Sequence, residues 1–109
     1  MQSNLSLDDV IQEIAEADMA ISDSDFDNLR IWLKSKIVPA QWQHKQYQFD
    51  EKFWVVATLN HSCLYFNFVE EGWGWGKFSL TGFIEKYHWE QEELYEAFIW
   101  RFKDQVVES

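Results

Sequence analysis

The sequence predicts a single α+β domain over residues 1–109, with two N-terminal helices, a four-stranded antiparallel meander and two C-terminal helices packed mainly on one sheet face. Apolar residues recur at helical spacing near both ends of the chain and alternate with period two between them. With 47% hydrophobic and 18% aromatic residues, a chain of 109 residues is long enough to bury a core. No linker rich in Gly, Ser or Pro divides it, which favours one acidic domain.

The N-terminal third is predicted to form two helices. The first spans about 6–21, where Ser6 and Asp9 form a capping-box pattern. The polar run that follows offers caps for a second helix, whose predicted apolar stripe is Phe26, Leu29, Leu33 and Ile37. Pro39 is expected to end this helix, because proline cannot continue the helical hydrogen bonding.

The middle of the chain is predicted to form strands at 43–49, 53–60, 63–69 and 73–78, joined by loops of three, two and three residues. The apolar face of this sheet, expected to be the core, holds Tyr47, Phe49, Phe53, Val55, Ala57, Leu59, Leu64, Phe66, Phe68 and Phe78. The opposite face holds His44, Gln46, Gln48, Trp54, Val56, Thr58, Asn60, Cys63, Tyr65, Asn67, Val69, Trp73 and Trp75.

Two helices are predicted after the sheet. A short one runs from Thr81 through Tyr87, and a longer one covers 90–106. The longer helix has an apolar stripe of Leu94, Phe98, Phe102 and Val106.

The net charge of −10 limits the partners of the chain. Residues 1–29 carry eight acids and no base, residues 30–69 carry five bases and two acids, and the last 40 residues carry nine acids and four bases. Nucleic acid and anionic lipid surfaces are poor partners, because both are bound through basic patches. An acidic surface favours a basic protein instead.

The sequence indicates a cytoplasmic protein. No apolar run reaches the length of a membrane span, and the N-terminus has no signal-peptide pattern. The single cysteine, Cys63, forms no internal disulfide, which suits a reducing compartment.

The run 72–76, Gly-Trp-Gly-Trp-Gly, is the most distinctive feature of the sequence. A strand places both indoles on one face. There they either cover a hydrophobic side of the sheet or pack beneath the terminal helices, or they form with Trp54 and Tyr65 an exposed aromatic platform beside Gln, Asn and Thr side chains. The predicted partner-binding residues are Glu70, Glu71, Trp73, Trp75, Trp54 and Tyr65.

The acidic run 23–27 resembles the start of a calcium loop but fails its pattern, since Asn28 and Lys34 stand where an EF-hand needs Gly and Glu. We interpret it as a helix cap. Asp23, Asp25 and Asp27 are the second predicted acidic contact for a basic partner.

No catalytic or metal-binding pattern stands out. His61 and Cys63 are two residues apart, but further ligands from His44 or His88 lack zinc-site spacing, and the pair lacks an orienting third group. We therefore expect no metal, no cofactor and no enzymatic activity.

The expected function is binding. The leading hypothesis is an immunity- or antitoxin-type inhibitor of a basic protein partner, for instance a nuclease toxin. One alternative is an accessory or adaptor subunit, which a homodimer burying the Trp face would favour. Another is a small-ligand or carbohydrate binder that stacks its ligand on Trp73 and Trp75.

Overall fold

The structure, a computed structural model, describes residues 4–45, 52–87 and 92–99. Its helices are α1 (Leu7–Ser22) and α2 (Phe26–Ser35), and residues 94–99 are also helical. The strands are β1 (Lys36–His44), β2 (Phe53–Leu59), β3 (Ser62–Asn67), β4 (Gly72–Lys77), β5 (Phe83–Ile84) and β6 (Lys86–Tyr87). The α+β class is confirmed.

Helix α1 begins where the sequence predicts. The Ser6 side chain accepts a hydrogen bond from the Asp9 amide, and the Asp9 carboxylate accepts one from the Ser6 amide. This capping box satisfies backbone donors that the first helical turn leaves open. No described helix is long and apolar enough to cross a membrane.

Helix α2 is shorter than predicted and buries a different face. It ends at Ser35, and the chain enters β1 directly, so Ile37 and Pro39 lie in a strand. Two causes act together: Ile and Val favour strands, and a residue that precedes proline is kept out of the helical region. The buried face of α2 is Asn28, Trp32 and Ser35, while Phe26 and Leu33 of the predicted stripe are exposed.

The strands form a curled mixed sheet in the order β5-β1-β2-β3-β4-β6. Strands β1 to β4 are antiparallel neighbours, which matches the predicted meander in part. Strand β1 starts seven residues earlier than predicted. The β5 segment runs parallel to β1, and β6 runs antiparallel to β4. Only Glu85 separates β5 from β6. Residues 83–87 therefore pair with β1 through β5 and with β4 through β6, which are the two outer strands of the four-stranded part, and the sheet curls on itself.

The short helix predicted over 81–87 is therefore wrong. The backbone carbonyls of Gly82 and Ile84 accept hydrogen bonds from Gln43 and Lys45, while the Glu85 amide donates to Lys77 at 2.8 Å. The segment thus finds backbone partners on two strands, which a helix of two turns would forgo.

The register of β3 and β4 differs from the prediction. Leu64 is paired with Trp75, and Phe66 is paired with Trp73, so all four side chains share one face. The turn between these strands has four residues, 68–71, instead of three, and a change of one residue moves a whole strand face to the other side.

A second irregularity lies in β2. The pairing with β3 shifts between Val55 and Ala57, so Val55 and Ala57 do not share a face as predicted. The bulge directs Val56 and Ala57 toward the helices, while Val55 points to the inside of the curl.

The sheet is consequently buried on both faces. The helix-side core consists of Val10, Ala17, Ile21, Trp32, Val56, Ala57, Leu64, Trp73, Trp75, Leu94, Ala97 and Phe98. The inner core consists of Trp42, Phe53, Val55, Cys63, Tyr65, Phe68 and Ile84. Phe68 was expected beneath the helices but lies on the inner side, whereas half-buried Phe66 contacts both cores.

Three sets of predicted features lie outside the described residues. They are strand residues 46–49, His88, and the parts of the last predicted helix at 90–91 and 100–106. Within the described part of that helix, Leu94 and Phe98 are buried as predicted.

Candidate functional site

Trp73 and Trp75 lie in the core. Trp75 is 1% exposed, and its indole Nε1 donates a hydrogen bond to the Ala97 carbonyl oxygen at 2.9 Å. The Trp73 Nε1 donates to Glu13 Oε1 at 3.3 Å, which ties β4 to α1. The exposed aromatic platform is therefore wrong, and the alternative interpretation, with both indoles beneath the helices, is confirmed. Both indoles that were expected to stack on a carbohydrate ligand are buried.

Trp54 and Tyr65 do not join a common surface either. Trp54 is half-buried on the helix side, and its Nε1 donates to the Leu5 carbonyl at 2.8 Å. Tyr65 is fully buried in the inner core, where its hydroxyl lies 3.3 Å from His44 Nε2. Of the four aromatic residues of the predicted site, Trp54, Trp73 and Trp75 thus lie on the helix side of the sheet, and Tyr65 lies on the inner side.

The Glu70–Glu71 pair occupies the turn between β3 and β4. The Asn67 side-chain oxygen accepts hydrogen bonds from the Val69 and Glu70 amides, and Glu71 has a φ of 58°. Glu71 is exposed and Glu70 is half-buried. These carboxylates lie at a structured turn, and the Trp73 and Trp75 indoles predicted to bind the partner with them are buried.

The connection between α1 and α2 gathers the second predicted acidic set. Asp23 is the C-cap of α1, and Asp25 caps α2 by accepting a hydrogen bond from the Asn28 amide at 3.0 Å. Asp27 lies in the first turn of α2, 3.7 Å from Arg30. All three aspartates are exposed, so the segment is both a helix cap, as predicted, and an acidic surface.

Two exposed apolar side chains accompany these aspartates. Phe26 is 75% exposed at the start of α2, and Met19 is 71% exposed near the end of α1. Asp18, Met19, Ser22 and Asp23 together line a shallow depression. We call Met19, Asp23, Asp25, Phe26 and Asp27 the acidic corner.

Sequence reasoning found the aspartates of the acidic corner but missed its apolar part. Helical spacing assigned Phe26 to the core, because Phe26, Leu29 and Leu33 form the more apolar stripe of α2. The contrary signal is Trp32, which is completely buried and donates its Nε1 hydrogen to Asp18 at 2.6 Å. Because Trp32 lies on the buried face of α2, the helical repeat places Phe26 on the exposed face.

Burial shifts the pKa values of two titratable side chains, Cys63 and His44. Burial raises the pKa of the Cys63 thiol to about 12, so the thiol stays protonated, and a thiol in that state is a poor nucleophile. Burial lowers the pKa of His44 to about 4. His61 lies exposed in the turn before β3. Among the described residues, no three His, Cys, Asp or Glu side chains are placed to hold a metal ion.

A second acidic depression lies between α1 and the helical residues 94–99. Glu13, Glu16 and Glu93 contribute to its lining. Burial raises the pKa of Glu13, the neighbouring Glu93 and Glu16 carboxylates add to this, and the hydrogen bond from Trp73 opposes it. This carboxylate has a structural partner in the core, which distinguishes it from the exposed aspartates of the acidic corner.

Comparisons of this chain with protein-family models, with curated proteins and with solved structures found no match. An exposed set of aspartates beside two exposed apolar side chains is suited to binding a basic surface that also offers an apolar contact.

Proposed function

We propose that this chain is a small acidic binding protein that docks on a basic protein through the acidic corner, in the manner of an immunity- or antitoxin-type inhibitor. The observation that carries the proposal is the exposed Phe26 ring set among the exposed Asp23, Asp25 and Asp27 carboxylates. An aromatic anchor within a charged rim is the usual arrangement of a protein-binding surface.

The two kinds of residue have different tasks in this proposal. The carboxylates, on a molecule with a net charge of −10, attract a basic partner and increase the encounter rate. Phe26 then loses water in the complex and slows dissociation. An inhibitor works by occupying the basic surface that its partner needs for its own substrate, and a nuclease is one protein with such a surface.

The proposal favours the acidic corner over the Glu70–Glu71 turn. Both sites carry exposed charge, but the indoles expected beside the turn are buried, while the acidic corner retains apolar side chains at its surface. A charged rim without an apolar centre gives little affinity, because exposed ion pairs contribute only about 0–1 kcal/mol each.

Affinity capture with two variants of equal charge tests this proposal. Asp23→Asn/Asp27→Asn and Glu70→Gln/Glu71→Gln both change the net charge from −10 to −8. The tagged wild-type chain is used to capture proteins from its source cell at low salt, and mass spectrometry identifies them. We expect a basic protein that the aspartate variant captures poorly and the glutamate variant captures like the wild type.

Two results would count against the proposal. Equal capture by both variants would show that the acidic corner is not part of the interface. Capture of an acidic partner would show that charge complementarity does not drive binding. Asp25 is left unchanged in the test, because its side chain caps α2.

A further inference from the structure

A shallow apolar groove lies between α1 and the beginning of β1. Its lining consists of Ile11, Ile14, Lys36, Ile37, Val38 and Pro39. Val38 is 85% exposed and Ile11 is 52% exposed. Scattered exposed apolar side chains are ordinary on a protein surface. Here the apolar side chains instead line one groove.

The local backbone explains why these side chains stay at the surface. The pairing of β1 with β2 shifts between Lys36 and Ala40, so residues 37–39 lie outside the regular register. On its other side, β1 pairs with β5 at Gln43 and His44, and within residues 4–45, 52–87 and 92–99 no strand pairs there with residues 37–39. Pro39 has no N–H to offer to an added strand, which favours side-chain docking over sheet extension here.

An ion pair connects the groove to the acidic side of α1. The Lys36 Nζ is 2.9 Å from Asp18 Oδ1, so the lysine that lines the groove is paired with a carboxylate. Asp18 also lines the depression that contains Met19 and Asp23 of the acidic corner. The groove and the acidic corner are therefore neighbours along α1. Ile11 of the groove and Met19 of the acidic corner are eight residues apart on this helix, which corresponds to a rise of about 12 Å.

We infer that the apolar groove seats an apolar side chain of the basic partner, about 12 Å from the Lys or Arg side chains that meet the acidic corner. This inference rests on the proposed function and adds a second contact point to it. Charge complementarity selects this occupant over a second copy of the chain, because two molecules with a net charge of −10 repel each other.

The probe for the test is a fluorescein-labelled helical peptide with two Leu residues at one end and two Arg residues about eight positions further along. Its binding to the full chain is measured by fluorescence anisotropy. Val38→Ser should weaken binding about tenfold, the order expected for losing an apolar contact in a binding pocket. Leu80→Ser is the matched control, since Leu80 is 70% exposed and does not line the groove, and it should leave the affinity unchanged.

A second peptide, with Ser in place of both Leu residues, completes a double-mutant cycle. Val38→Ser should have no effect on its binding, because the contact is already absent. Thermal melts of all variants check the fold, and Val38→Ser should melt like the wild type because its side chain is largely solvated.

The possible outcomes separate the groove from the proposed function. If the first peptide binds in a salt-dependent way and Val38→Ser leaves its affinity unchanged, the inference about the groove is wrong while the proposed function stands. Binding that is sensitive to Val38→Ser but independent of salt contradicts the proposed function while the groove stands. A wild-type dimer that Val38→Ser dissociates, measured by analytical ultracentrifugation, would make a second copy the occupant and overturn the inference.

Discussion

At the scale of single residues, Trp75 combines apolar packing with one satisfied polar atom. Its ring lies 6.3 Å from the Phe98 ring, and its Nε1 bonds to the Ala97 carbonyl. Trp32 meets the same phenylalanine edge-on at 5.0 Å. Because a buried indole N–H needs an acceptor, the pairing with Ala97 holds the helical residues 94–99 against β4.

Trp75→Ala and Phe26→Ala are expected to act on different properties. Removing the buried Trp75 indole should lower the free energy of unfolding by about 3–5 kcal/mol. Removing the exposed Phe26 ring should change it by less than about 0.5 kcal/mol while weakening partner binding. Chemical denaturation followed by fluorescence measures both, and similar small losses in the two variants would contradict the assignment of Trp75 to the core.

His44 makes stability depend on pH. Burial lowers its pKa to about 4 in the folded protein, whereas an unfolded histidine titrates near 6.5. The unfolded state therefore takes up the proton first as the pH falls. The contribution of His44 is fully present above about pH 6.5 and is lost progressively toward about pH 4, by about 3 kcal/mol in total.

Urea denaturation at several pH values measures this loss. His44→Gln removes the titrating group, so its stability should fall less steeply between pH 6.5 and 4 than that of the wild type. The many carboxylates contribute equally to both proteins, and the difference isolates His44. Parallel curves would show that the imidazole is solvated.

At the scale of elements, Gly76 governs how β6 closes the sheet. A Cβ added there would lie 2.8 Å from both Ile84 Cγ2 and the Lys86 carbonyl oxygen, and 3.1 Å from the Tyr65 ring. The Lys86 oxygen belongs to the backbone and cannot simply rotate away. The closure of the curled sheet therefore requires glycine at this position of β4.

Gly76→Ala should destabilise the protein by about 1–3 kcal/mol, as overpacking does elsewhere. Hydrogen exchange gives a more local measure. The Glu85 amide, bonded to Lys77 across the closure, should exchange faster, whereas the Ala97 amide, bonded to Glu93, should serve as a reference. Unchanged exchange at Glu85 would mean that β6 does not pack on Gly76.

The predictability of each element depends on the range of the interactions that form it. The start of α1 is predicted correctly because Ser6 and Asp9 act within one turn. The faces of β3 and β4 are not, because they depend on whether the turn has three or four residues, which side chains such as Asn67 decide. Strands β5 and β6 are stabilised mainly by backbone groups that are distant in sequence, which no local pattern reveals.

At the scale of the whole molecule, the exposed aspartates are predictable from the sequence, but the exposed apolar side chains beside them are not. Asp23, Asp25 and Asp27 are exposed because they cap and flank short helices, and a local pattern suffices to place them. Whether an aromatic residue is exposed depends on the complete packing of two cores. Phe26, predicted for the apolar stripe of α2, is accordingly exposed, and Trp75, for which the sequence leaves both interpretations open, is buried.

The central claim, docking of a basic protein at the acidic corner, is tested most directly by association kinetics. Surface plasmon resonance with the captured partner would compare Asp23→Asn/Asp27→Asn with Glu70→Gln/Glu71→Gln at low and physiological salt, where the Debye length falls to about 8 Å. We predict slower association and a flatter salt dependence for the aspartate variant alone. Equal association rates for these two variants, which carry the same net charge, would contradict the claim.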